Sequence, residues 1–343
     1  MKICMLKLLD RINLKEKAIS SSELVYLSKW LEEQGHEVFY FGRKTAAEKD
    51  IDNYIDMNDI DNFDEFDELW VYSSAKNFFG GEVKHHVVKQ VKMLLKYKGT
   101  INVAITDPAF ALWNIPEVLY NRDQANTTGL YHDDLRVSFD EIERFQNLNW
   151  KIWWVGKDFK KLKHNTRPEV VKVDEDNWNY LPLPEYMFRH KKYDEITSEI
   201  EYELMYYGFN RSGRKKVLDK FFNNNLKKYL VEFKAEYPNT TRVKKVPHSK
   251  ILNEIHKAKS SIVIGDETHN NNLKSLRIYE IIKSGVICFI DNRFDSDKTI
   301  FKHPHLQKFN YVNNGNDIER RLNRLNDKMF NYIIELQKKE YDL

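Results

Sequence analysis

Cysteine is scarce: the 343 residues include 2, Cys4 and Cys288. Two thiols cannot build a disulfide framework or a multi-sulfur zinc site. Both lie in apolar strand-like runs and read as reduced, buried packing residues of a cytoplasmic protein. No apolar run reaches the roughly 18–20 residues that span a bilayer. Lys7 and Asp10 interrupt the opening MKICMLKLLDRINL, where a signal peptide would need an unbroken core. There is no GxSxG, and neither cysteine has an evident partner base, which disfavours nucleophilic hydrolysis. His85, His86, His132, His248, His269, His303 and His305 lack metal-ligand spacing. They read as surface or loop histidines, and no protein metal site is expected. Internal repeats and low-complexity stretches are also missing.

What is present is a globular composition with 41% apolar, 31% charged and 13% aromatic residues, enough bulky side chain for two cores. The length points the same way, because single cores stop growing at roughly 250–300 residues. The net charge of +3 conceals an asymmetry: residues 1–150 sum to about −7 and the remainder to about +10. A basic second half suits a polyanionic partner, and equally a lysine-rich solvated surface.

Short apolar strands alternate with helical periodicity along the whole chain. Strands are expected at Lys2–Leu6, Glu37–Phe41, Glu68–Tyr72, Thr100–Thr106 and Lys151–Val155, then at Glu203–Tyr207, Tyr229–Phe233, Ser261–Ile264 and Val286–Asp291. Helices fit Ser21–Gln34, closed by Gly35, and Glu82–Tyr97, Arg214–Asn223, Ser249–Lys257, Ser275–Lys283 and Asp317–Lys338. This is the pattern of an α/β chain with two doubly wound parallel sheets, joined near Pro182-Leu183-Pro184, where two prolines interrupt both patterns. Ligands of such sheets bind beyond the carboxyl ends of the strands.

Five segments carry residues with chemical potential. Gly208-Phe209-Asn210-Arg211-Ser212-Gly213-Arg214-Lys215 follows a strand and opens a helix. Glycines, free N–H groups and three cations suit a diphosphate there, and an ordinary βα loop with surface cations is the other reading. The lysine spacing is not that of a Walker loop. Ile264-Gly265-Asp266-Glu267 leads to Arg277 and Glu280, three apart on one helix face. They suit a phosphate and ribose hydroxyls, or an intrahelical ion pair on a solvated face. Asp107, in Thr106-Asp107-Pro108 at a strand end, is a candidate general base or a turn residue. Ser20-Ser21-Ser22-Glu23 is a capping-box pattern, unless Glu23 faces a ligand. Beyond Tyr72, the loop Ser73-Ser74-Ala75-Lys76-Asn77-Phe78-Phe79-Gly80-Gly81 offers two phenylalanines for burial or for stacking on a base.

In order and spacing, SSELVYLSK, SSAKNFFGG, ITDP, FNRSGRKK, IGDETHNNN and LRIYE followed by IIKSGVICFIDNRFD resemble the DNA β-glucosyltransferase family of T-even bacteriophages. The resemblance implies the GT-B fold, with two Rossmann-like domains facing a central cleft. It implies an acceptor and DNA-binding domain over residues 1–182 and a UDP-sugar domain over 183–316, with a C-terminal helix, 317–343, returning to the first. It implies an inverting hexosyltransferase that moves glucose from UDP-glucose to 5-hydroxymethylcytosine flipped from duplex DNA, shielding a phage genome from restriction in the host cytoplasm. Asp107 then matches the catalytic base, and Glu23 and Asp266 acidic residues near the sugar. Gly208, Arg211, Ser212 and Arg277 match the diphosphate site, and Glu280 the acceptor of ribose hydroxyls. Asn77, Phe79 and Gly80 fall in the loop that probes DNA. Where the family has a second arginine, this chain has Lys215, with Arg214 beside it. A divalent Mg or Mn ion can assist without being required for binding. A monomer is expected. Another UDP-sugar, another modified base or a non-DNA acceptor would leave much the same pattern.

Overall fold

The computed structural model describes residues 1–6, 19–42, 51–73, 84–106, 144, 148, 150–156, 178–208, 213–265 and 275–343. The chain divides into two compact units, Met1–Leu183 and Pro184–Leu343.

The first unit is built on a seven-stranded parallel sheet. Its strands are β1 (Lys2–Leu6), β2 (Glu37–Gly42), β3 (Tyr54–Asp56), β4 (Glu68–Ser73), β5 (Thr100–Ile105), β6 (Trp150–Trp154) and β7 (Trp178–Tyr180), in the order β3-β2-β1-β4-β5-β6-β7. Every adjacent pair is parallel. A parallel sheet is covered on both faces, so its inner strands read as unbroken apolar runs. Ile3, Cys4, Met5 and Leu6 accordingly have no exposed surface. Helix α1 (Ile19–Glu33) follows β1, with Leu24, Leu27 and Leu31 buried at helical spacing. It ends at Gly35, whose φ of +82° is the left-handed turn that a glycine accepts without strain. Helix α2 (Lys84–Lys96) precedes β5. Trp30, Trp70 and Trp153 cluster with ring centroids 5.1–6.1 Å apart. Asn102 stitches this cluster to the sheet, accepting from Trp153 Nε1 at 2.9 Å and donating to Glu68 at 2.8 Å.

The second unit repeats the plan. Strands β8 (Tyr202–Tyr207), β9 (Lys228–Val231), β10 (Thr240–Val243), β11 (Ala258–Val263), β12 (Ile287–Asp291) and β13 (Tyr311–Val312) form a parallel sheet in the order β10-β9-β8-β11-β12-β13. Its helices are α3 (Leu183–His190), which begins at the boundary, α4 (Arg214–Phe222), α5 (Ile251–His256), α6 (Leu276–Lys283), α7 (Pro304–Phe309), α8 (Gly315–Leu322) and α9 (Asp327–Glu340). Strand β9 stops at Val231 rather than running to Phe233, because Glu232 turns the chain with φ +63°.

The single helix expected over Asp317–Lys338 is two helices. Asn326 caps the second, its side chain accepting from the Met329 N–H at 2.9 Å. Helix α9 belongs to the second unit and is tied to its sheet. Gln337 of α9 is fully buried, accepts from the Cys288 N–H at 2.9 Å and donates to the Val286 carbonyl at 3.1 Å. Both cysteines are free and buried. No helix among the described residues is long and apolar enough to cross a membrane.

Candidate active site

In an open parallel sheet, the helices change sides where the strand order reverses, and a crevice opens there beyond the carboxyl ends. The two sheets reverse between β1 and β4 and between β8 and β11. Candidate residues gather at both places.

In the first unit, Tyr72 near the end of β4 and Thr106 just past β5 converge on Glu23 near the start of α1. The Tyr72 hydroxyl donates to Glu23 Oε2 in a short hydrogen bond. The Thr106 hydroxyl donates to the same oxygen at 3.0 Å, and the two hydroxyls are 3.1 Å apart. Helix α1 already includes Ile19, so Ser20 lies within it and is not its N-cap. Glu23 thus ties α1 to the carboxyl ends of β4 and β5. Thr106 is the residue before Asp107, so this contact fixes the chain at the point where the candidate base begins. Asp107, and with it Asn77, Phe79 and Gly80, lies outside the described residues.

In the second unit, β8 delivers Tyr206, Tyr207 and Gly208 opposite α6, which carries Arg277 and Glu280. The Arg277 guanidinium lies 5.2 Å from the Tyr206 ring centroid and 4.8 Å from that of Tyr207. Its Nη1 is 3.5 Å from the Tyr206 hydroxyl. Gly208 has φ +141°, and a Cβ built on it would stand 2.7 Å from Arg277 Nη2. At this φ any other side chain is strained, and its Cβ would have to displace the guanidinium.

Glu280 is 2% exposed, which removes the solvated ion pair as an account of it. Tyr193 donates to its Oε1 at 3.0 Å and Tyr207 to its Oε2 at 2.5 Å. His248 Nε2 stands 3.0 Å from Oε1. Burial alone would raise the pKa of this carboxyl. The hydrogen bond and charge of His248, the Tyr207 hydroxyl and the Lys191 charge outweigh burial and hold it below the ordinary value. Burial, together with the neighbouring Glu280 charge, pushes the Tyr207 hydroxyl well up, so it stays a donor.

His248 had read as a surface or loop histidine; it is partly exposed, but engaged with a buried carboxylate. Tyr193, Tyr206 and Tyr207 carried no signal beyond a tyrosine pair directly before Gly208. Lys215 stands on α4 with its ammonium 2.9 and 3.0 Å from the Asp219 oxygens, one turn along the same helix. Arg211, Ser212 and Asp266 lie outside the described residues. Among the described residues, no group of three or more His, Cys, Asp or Glu side chains could hold a metal ion.

A profile of the family described as "Bacteriophage T4 beta-glucosyltransferase" matches residues 1–137. A curated relative, the DNA beta-glucosyltransferase of Enterobacteria phage T4, is 26% identical over 328 residues, 90% of this chain and 85% of its own length. Over most of its length the chain is similar to the T4 DNA beta-glucosyltransferase. That similarity supports an enzyme of the hexosyltransferase class. Two solved structures of the T4 glucosyltransferase superpose along the whole chain. One, in complex with UDP and Mn2+, has a TM-score of 0.74 at 22% identity and is covered over 95% of its length. The other, in complex with its UDP-glucose substrate, has a TM-score of 0.71 at 21% identity and is covered over 94%. These likenesses establish the GT-B fold of two Rossmann-like domains, each with the strand order of a nucleotide-binding sheet.

Proposed function

We propose that this relative of the phage glucosyltransferases moves glucose from UDP-glucose to the hydroxymethyl group of 5-hydroxymethylcytosine in duplex DNA, with inversion at the anomeric carbon. The observation that carries the donor half is that α6 presents Arg277, against Gly208, and the buried Glu280 carboxylate one turn further on, at the reversal point of the second sheet. A guanidinium suits a diphosphate, a carboxylate suits the hydroxyls of a ribose, and a close backbone approach suits both. The donor of the T4 structure supports UDP-glucose as the molecule bound there.

In the proposed reaction, the Asp107 carboxylate takes the proton of the acceptor hydroxyl as its oxygen attacks the anomeric carbon. The new O–C bond forms as the bond from that carbon to the β-phosphate oxygen breaks, and UDP leaves with the electron pair. One displacement inverts the centre without a covalent sugar–enzyme intermediate. Arg211 and Arg277 stabilise the charge that gathers on the leaving diphosphate, with Gly208 and Ser212 at its backbone. Asp266 and Glu23 border the sugar, and Tyr72 and Thr106 hold Glu23 in place. Asn77, Phe79 and Gly80 frame a cytosine flipped from the duplex. The biological result is a phage genome masked from host restriction nucleases. The T4 structure in complex with UDP and Mn2+ supports a divalent cation as an accessory to the donor, and none of the steps above depends on one.

The test is transfer of labelled glucose from UDP-glucose to duplex DNA containing 5-hydroxymethylcytosine, with an unmodified cytosine duplex as control. Labelling of the hydroxymethylated duplex alone is expected. Asp107→Asn should abolish it while leaving UDP binding within about threefold of the parent. Transfer at the parental rate by a folded Asp107→Asn protein would remove Asp107 from the base role.

A further inference from the structure

Glu280 is held from three directions by residues far from it in the chain. Tyr207 comes from the end of β8, Tyr193 from the segment after α3, and His248 from the 3-10 turn His248–Lys250 that leads into α5. Besides Glu280, the His248 Nε2 also has Lys191 Nζ 2.9 Å away. One ring nitrogen cannot serve both. Carrying a proton, it donates to Glu280 Oε1; carrying a lone pair, it accepts from Lys191. Among the described residues, the charged and titratable groups around this nitrogen are Lys191, Glu280 and the hydroxyl of Tyr193, whose ring centroid lies 5.8 Å from that of His248; Tyr207, with Arg277 over its ring, bonds the second carboxylate oxygen.

A carboxylate with free rotation would meet a vicinal diol in many orientations. This one is turned so that His248 and Tyr193 share one oxygen and Tyr207 binds the other. We propose that His248, together with Tyr193, is a positioning residue that orients Glu280 toward the ribose of a nucleoside diphosphate, setting donor affinity and not the rate of transfer. The proposal rests on the reading of Glu280 as the acceptor of ribose hydroxyls. Its reach is specific: orientation of Glu280 matters only to a ligand that has those hydroxyls.

The experiment titrates UDP, and separately 2′,3′-dideoxy-UDP, into the full-length parent, His248→Leu, His248→Gln and Tyr193→Phe proteins by calorimetry, alongside transfer kinetics with UDP-glucose. Hydrogen bonds to a charged group support a loss of about tenfold or more for His248→Leu toward UDP, with KM for UDP-glucose rising in step and kcat changing less than about threefold. His248→Gln, which keeps an N–H donor, should recover most of the affinity. Tyr193→Phe should show a smaller loss of the same kind, and it carries the test if His248→Leu does not fold. Dideoxy-UDP should bind the parent and the variants equally. Equal losses for both ligands, or parental UDP affinity in His248→Leu, would overturn the role of His248 while leaving the nucleotide site intact. No UDP binding by the parent would overturn the donor reading and this proposal with it.

Discussion

Alanine at position 208 would meet two separate obstacles. The backbone there has φ +141°, a region that L-residues enter at roughly 1–3 kcal/mol. The added methyl would also lie 2.7 Å from Arg277 Nη2 and 3.2 Å from the Tyr206 hydroxyl. The end of an arginine is flexible, but this one packs against two tyrosine rings at 4.8 and 5.2 Å, so it cannot swing aside without leaving them. Overpacking of this kind typically costs about 1–3 kcal/mol. The two terms together give roughly 2–6 kcal/mol, enough to lower the melting transition of a unit this size by about 4–24 °C. Differential scanning calorimetry of Gly208→Ala reads the sum. A cycle with Arg277→Ala separates the parts, because removing the guanidinium abolishes the clash and leaves the backbone strain. The cost of Gly208→Ala should therefore shrink to about 1–3 kcal/mol in the Arg277→Ala background. A Gly208→Ala protein that melts within a degree of the parent would refute the strain argument. An equal cost in both backgrounds would refute the close approach to Arg277.

Two further outcomes follow from the same site. The Glu280 carboxyl is held below its ordinary value, so between that folded value and about 4.3 the unfolded chain binds more protons. Its contribution to stability is fully present above about pH 4.3 and is lost as the pH falls through the folded value. Melting curves across that acid range should be flatter for Glu280→Gln than for the parent, and parallel curves would show that the group is not so held. Lys215→Ala removes an exposed i, i+4 ion pair, which contributes about 0.3–0.5 kcal/mol. UDP affinity should fall less than about threefold, against a far larger loss for Arg277→Ala; comparable losses would show that the ammonium leaves Asp219 for the diphosphate.

The inner strands were legible because burial on both faces leaves long apolar runs, as in Lys2–Leu6 and Ile287–Asp291. The strands without an expectation lie at sheet edges. Tyr54–Asp56 and Trp178–Tyr180 are three residues each and Tyr311–Val312 two, too short for any period to show. Thr240–Val243 has two exposed residues among its four and therefore no apolar run. In the C-terminal segment, buried Ile318 and Leu322 and then Ile333 and Ile334 imitate one continuous helical face across the break at Asn326. In the site, Arg277 and Glu280 could be read from their spacing on one helix. Tyr193 could not, since its hydroxyl bonds a carboxylate 87 residues away and nothing local marks it. Likewise Thr106 and Glu23 are 83 residues apart, and their contact comes from the strand order of the sheet.

Gln337 also bears on how the chain is made. Its carboxamide donates to the Val286 carbonyl and accepts from the Cys288 N–H and the Asn310 carboxamide N–H, all buried behind it. During vectorial synthesis, Cys288 leaves the ribosome 49 residues before the group that satisfies its N–H. For that interval the β12 edge must stay wet or find a temporary partner, since a buried N–H without one is unfavourable. Among the described residues, the last strand of the first unit's sheet ends at Tyr180. A nascent chain arrested before residue 337 should therefore present a finished first sheet joined to a second whose core has not yet closed.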